Sequence, residues 1–221
     1  MENFNFKNKY YPLTVLLFII GYLNQLSMSH FLSWLSMLLT GMLSLGILYG
    51  FHHIPDFFRP LPSPKWRVLL KYVLQLFVFE LIAILLVVLT KPAELVAINP
   101  AGTRAYLTTL SVIMRLWLTF KLLVSIVGEE VAMASLLLPL IRLVSQTKFK
   151  NHSWPIVNLI GCIIFMFLHL PHYQMNWAYV FIVGVSRYPL TASWRGANSL
   201  RNGIYVHWIS DATTLLSVLV A

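Results

Sequence analysis

The chain is poor in charge and nearly devoid of cysteine. Only 10% of its 221 residues are Asp, Glu, Lys or Arg, against about 25% in a soluble domain, and a water-facing surface cannot be built from so few. The single cysteine, Cys162, lies inside an apolar run, which excludes a disulfide framework and a cysteine-rich zinc site. Acidic residues are the scarcest, 7 against 16 Lys and Arg. That surplus of cations is not a nucleic-acid footprint, because it is spread among the loops between apolar runs rather than gathered in one patch. No internal repeat, low-complexity tract or soluble second domain is visible.

What the chain has instead is apolar length. Hydrophobic residues make up 58% of it, in runs at 12–29, 31–51, 69–90, 106–127, 131–144, 154–170, 174–186 and 203–221. Most approach the ~20 residues that a helix needs to cross ~30 Å of hydrocarbon. In lipid every backbone polar group must be satisfied internally, and the runs lack the alternation of barrel strands, so each is expected to be helical. The fold class is all-α, a polytopic membrane bundle.

Runs 106–127 and 131–144 are either two crossings or one long passage, and loop charge decides between them. With one passage, Lys7, Lys9, Arg59, Lys65, Arg67, Lys71, Arg142, Lys148, Lys150, Arg187, Arg195 and Arg201 share one side, and Lys91 and Arg104 the other. With two, everything after Glu130 inverts and the bias disappears, contrary to the positive-inside rule. Seven transmembrane helices are therefore expected, eight being the alternative, with the N-terminus cytoplasmic in a multi-pass plasma-membrane protein. Residues 1–104 supply N-terminal helices and an extended cytoplasmic connection at 52–68 that carries Pro55, Pro60, Pro62 and Pro64; residues 105–221 hold the chemistry. The first run ends near Ser27-Met28-Ser29, as a signal peptide would, but is longer than a signal core and is followed at once by a second run, so a retained span is expected.

Glu80, Glu129, Glu130 and Asp211, with His169, His172 and His207, fall in or beside these runs. Inserting a charge at a helix centre costs about 2.5–3.5 kcal/mol, which makes each a functional candidate. Glu129 and Glu130 are adjacent and point about 100° apart on a helix, so one does chemistry and the other supports it. A carboxyl group in poorly solvated surroundings is a usable general base for activating water. Phe165 and His169 stand four apart on one face, so the ring can wall a site and fix the imidazole. His207 and Asp211 share a face in the same way, with Asp211 placed to fix the His207 tautomer or to hydrogen-bond to something the two share. Two kinds of site fit this inventory: water activation with oxyanion stabilisation, or a divalent metal such as zinc. Glu80 is expected to pair with Arg115 or Lys121, the 187–202 loop with Arg187, Arg195 and Arg201 to hold anionic lipid rather than gate the site, and Trp66, Trp117, Trp154, Trp177 and Trp208, with Tyr10 and Tyr11, to form an interfacial belt.

Glu129-Glu130, Phe165-x-x-x-His169 and His207-x-x-x-Asp211, in that order on successive apolar helices, resemble the CPBP intramembrane proteases. This group includes the CAAX prenyl endopeptidases and many bacteriocin-immunity proteins, and the likeness covers about residues 105–221. The resemblance implies an intramembrane endopeptidase with Glu129 as the water-activating base, His169 as its partner, and His207 and Asp211 stabilising the oxyanion. Glu130 supports them, and Phe165 lines the substrate cavity. In a metal-dependent member zinc would be held by Glu129, His169 and His207. The substrate is expected to be a membrane-associated, hydrophobic or lipidated peptide cut near the cytoplasmic side, with membrane lipid as the other partner. The sequence departs from the family's Glu-Glu-x-x-x-Arg at Ala134. Arg142 is more than two turns away, so either another cation takes over or activity is weakened. The alternative is a catalytically silent immunity protein that binds a peptide or receptor. A proton- or ion-coupled transporter is disfavoured by the absence of repeated halves.

Overall fold

The computed structural model describes residues 7–27, 33–91, 93 and 109–220, with side chains up to 213. Among the described residues it is all-helical, without strands. The helices are α1 (Tyr11–Leu26), α2 (Ser36–Tyr49), the single turn α3 (Ile54–Phe57), α4 (Lys65–Thr90), α5 (Val112–Ser145), α6 (Ser153–His169), α7 (Trp177–Ala197) and α8 (Leu200–Val220). By length and hydropathy three of them can cross a membrane, or four if the bent pair before α4 counts as one span. Met28 and Ser29, where a signal-peptide cleavage site would fall, lie outside the described residues.

From Val112 on, the runs 106–127 and 131–144 form one helix, the 34-residue α5. Ser111 starts it, its hydroxyl accepting the Met114 N–H at 3.3 Å. Two-thirds of the most apolar window of α5 is buried, against 17% for α4; α5 is the central post and α4 faces outward. Glycines let α2 reach it. A methyl at Gly41 would come within 2.8 Å of the Ala132 nitrogen, and one at Gly128 within 2.8 Å of the Leu38 nitrogen. Reciprocal small residues of this kind allow close backbone approach where the hydrophobic effect does not drive helices together.

Two sequence expectations are corrected. The connection at 52–68 is not wholly extended: Gly50, at φ 96°, ends α2, and the chain bends by 111° into helical turns over 51–57 before the proline-rich stretch. The segment after 186 is not a loop. α7 continues through Pro189 to Ala197, where Asn198 in the left-handed conformation (φ 51°) caps it. Asn176 caps the other end of α7, accepting the Ala178 and Tyr179 N–H groups. Arg187, expected on a lipid-facing loop, is instead 0% exposed inside the bundle.

Candidate active site

The two adjacent glutamates separate as their helical angle requires. Glu130 points into the core, 0% exposed, and accepts four hydrogen bonds. Arg187 donates Nη1–H to Oε1 at 2.6 Å and Nη2–H to Oε2 at 3.2 Å. Trp194 donates its indole N–H to Oε2 at 2.7 Å, and His207 lies with Nδ1 2.9 Å from Oε1. A carboxylate facing a forked guanidinium is ionised and accepts only, so His207 Nδ1 carries the proton and donates. The Arg187 guanidinium is itself sandwiched, 4.8 Å from the Trp194 ring and 5.1 Å from that of Phe165. Arg187, Thr191 and Trp194 share one face of α7, and Arg187 Nε–H donates to Thr191 Oγ1 at 3.1 Å. Gly203 on α8 leaves room for the cluster, since a methyl there would fall on Trp194 Nε1 and 2.7 Å from Glu130 Oε2.

The cation absent at Ala134 therefore reaches Glu130 from another helix. A linear reading misses this because Arg187 sits 57 residues from its partner, just past an apolar run that composition alone ends at Ser186. The 187, 191, 194 spacing is the signal that identifies it.

Glu129 contrasts with its neighbour. No described side chain donates to it, and it lines two cavities. The larger, about 760 Å³, is also lined by Phe165, His169, His207, Asp211 and Glu80, so the sequence-selected residues converge apart from Glu130, which stands behind them. The smaller, about 20 Å³, lies among Glu129, His169, His172, Tyr22 and Gln25 with apolar neighbours. That is room for about one water, with polar groups around it.

His169 ends α6 with Nδ1 3.0 Å from the Phe165 carbonyl, which only an N–H can satisfy. Nδ1–H donates, and in the neutral ring the Nε2 lone pair is left free. The Phe165 and His169 ring centroids are 4.2 Å apart, in accord with their shared face. Asp211, 36% exposed, lies 3.8 Å from His207 Nε2, beyond hydrogen-bond reach. It is Glu130 rather than Asp211 that fixes the His207 tautomer, and Asp211 is left facing the cavity.

Glu80 differs from expectation as well. Its Oε1 accepts the Ser210 hydroxyl proton at 3.1 Å instead of pairing with Arg115 or Lys121, and it faces the same cavity. On the α6–α7 turn, burial first, then the carboxylates of Asp211 and Glu129, push the Tyr173 phenol above its ordinary value and keep it an O–H donor at neutral pH. The zinc set is not supported: among the described residues no three His, Cys, Asp or Glu side chains are grouped to hold a metal ion. His207 Nδ1 is taken by Glu130 and His169 Nδ1 by a carbonyl, which leaves only Nε2 of each ring to face a ligand, and no step is assigned to a metal.

No curated protein matches the chain, and no solved structure does. A family model does: residues 111–213, a little under half the chain, match the type II CAAX prenyl endopeptidase Rce1-like family. The matched segment is the one that contributes Glu129, Glu130, His169, His207 and Asp211, and it is similar to the CAAX prenyl endopeptidase type within the CPBP group that the three motifs resemble.

Proposed function

We propose that the protein is an intramembrane endopeptidase that crosses the plasma membrane seven times from a cytoplasmic N-terminus and hydrolyses a peptide bond in a membrane-associated peptide. The observation that carries this reading is the division of labour between the two glutamates. Glu130 is saturated by Arg187, Trp194 and His207, whereas Glu129 is unengaged and borders both a water-sized space and the large cavity.

In the proposed reaction Glu129 takes a proton from a water held beside His169, and that water attacks the scissile carbonyl. His207, held as an imidazolium with its Nδ1–H on the Glu130 carboxylate, donates Nε2–H to the developing oxyanion, and Asp211 in its protonated form donates beside it. The proton on Glu129 then passes to the leaving amine. The Arg187–Glu130 pair acts by positioning His207, so the departure at Ala134 need not abolish activity. Hydrophobic or lipidated peptides are the substrate class, and CAAX-type processing, peptide maturation or self-protection against a bacteriocin are the roles that such a chain can serve.

Comparison of membrane peptidomes from cells expressing the wild type and Glu129→Gln tests the reading while the substrate is still unidentified. New peptide termini that appear only with the wild type support it. Identical peptidomes from two stably inserted proteins, with candidate external peptides supplied, favour instead a binding-type immunity protein that never cleaves.

A further inference from the structure

The two ends of the bundle can be told apart by the contacts that tie them together. At one end Lys7 N–H donates to the Leu48 carbonyl, the Ser199 hydroxyl to the Arg59 carbonyl, and the Arg195 guanidinium lies 5.4 Å from the Trp154 ring. The starts of α1, α4, α6 and α8 and the ends of α2, α5 and α7 therefore lie together. Eleven of the twelve cations assigned above to the cytoplasmic side are at this end, all but the buried Arg187. At the other end the Tyr22 hydroxyl donates to the Leu168 carbonyl and Gln25 Nε2–H to Ser125 Oγ, which joins the end of α1 to the end of α6 and the first half of α5.

The large cavity belongs to this second end. Gln25 from the last turn of α1, Ile84 from the later part of α4, Leu122 and Ser125 from the first half of α5, and His172 and Tyr173 on the α6–α7 turn surround it. His169, the last residue of α6, is at its rim. Glu129 lies halfway along α5, so the chemistry sits at mid-bundle and the way out leads away from those eleven cations, toward the end that carries Lys91, Arg115 and Lys121. With the cationic end cytoplasmic, that way leads outward.

We propose that the site takes its substrate from the extracytoplasmic side of the membrane. The substrate is then an exported or outer-leaflet-inserted peptide, and a cytosolic chain with a lipidated C-terminus does not reach Glu129. This rests on the endopeptidase reading above and reverses the sequence expectation of cleavage near the cytoplasmic side.

Accessibility tests it without any catalytic readout. In a Cys162→Ala background, His172→Cys marks the cavity mouth and Lys148→Cys the opposite end. Each is exposed to a membrane-impermeant charged maleimide in right-side-out and in inside-out vesicles. His172→Cys is expected to label at least tenfold faster in right-side-out vesicles, and Lys148→Cys at least tenfold faster in inside-out ones. Gln174→Cys, on the same exposed turn, takes over if His172→Cys does not insert. Labelling of the mouth only from the inside, equal labelling from both sides, or labelling only after detergent each overturn the proposal. None of these outcomes bears on whether Glu129→Gln changes the peptidome, so a wrong sidedness and a wrong activity are told apart.

Discussion

Replacing Arg187 by Met should be among the most damaging single changes in this protein. Arg187 and Glu130 are both 0% exposed and joined by a forked pair of bonds at 2.6 and 3.2 Å. Their charge centres, about 4 Å apart, attract by about 4 kcal/mol at the effective dielectric of ~20 that suits protein sites. Methionine keeps much of the packing against Phe165 and Trp194 but leaves Glu130 with only Trp194 and His207 as donors. Removing one partner of a buried pair costs about 3–5 kcal/mol, and that is the expected loss. Glu130→Gln in the same chain removes the stranded charge while retaining an acceptor, so the double variant should recover about 2 kcal/mol relative to the sum of the single ones. Arg187→Lys keeps the charge without the fork and should fall between. The measurement is reversible unfolding in mixed micelles, followed by tryptophan fluorescence and arranged as a double-mutant cycle. A loss below about 1 kcal/mol for Arg187→Met, or additivity within ~0.5 kcal/mol, would refute the claim that this pair holds α5 to α7.

Glu129→Gln should leave stability within about 0.5 kcal/mol, because no described side chain bonds to it, while lowering turnover about 10²–10⁴-fold; parallel unfolding and cleavage assays decide. Trp194→Phe removes one donor from a buried carboxylate and should cost about 1.5–3 kcal/mol, visible as a lower unfolding midpoint. Gly203→Ala puts a methyl on that indole and should cost about 1–3 kcal/mol by overpacking, with activity falling in step with the displacement of His207. Glu80→Gln preserves an acceptor for Ser210, so its unfolding midpoint should stay near that of the wild type, whereas Glu80→Leu removes this acceptor and should lower it.

Local periodicity made much of the site legible. The 100° step between Glu129 and Glu130, the face shared by Phe165 and His169, and that shared by His207 and Asp211 follow from helix geometry alone, and the structure gathers these residues as the geometry implies. What the sequence hides is every contact whose partner lies on a distant helix. Arg187 looks like a loop cation because polar residues and Pro189 interrupt its run, yet its charge is matched by Glu130 on another helix. Glu80 has Arg115 and Lys121 as candidate partners on the next apolar run, but its bond comes from Ser210, 130 residues away. Nothing around Trp194 in the chain marks its N–H as the donor to a carboxylate 64 residues away.

At 1.5 Å per residue, α5 is about 51 Å long, and a ~30 Å hydrocarbon layer would absorb all of it only at a tilt well beyond the 0–40° seen for membrane helices. Part of it must leave the apolar slab or thicken the slab around itself. Its first turns expose Val112, Ile113 and Leu116 at 68%, 80% and 65%, side chains that gain from contact with acyl chains, whereas Gln146, Thr147 and Lys148 follow its other end. Lipid chain length therefore sets how far α5 is drawn in, and with it the depth at which Glu129 meets water. The choice of bilayer becomes a variable of the enzyme's chemistry.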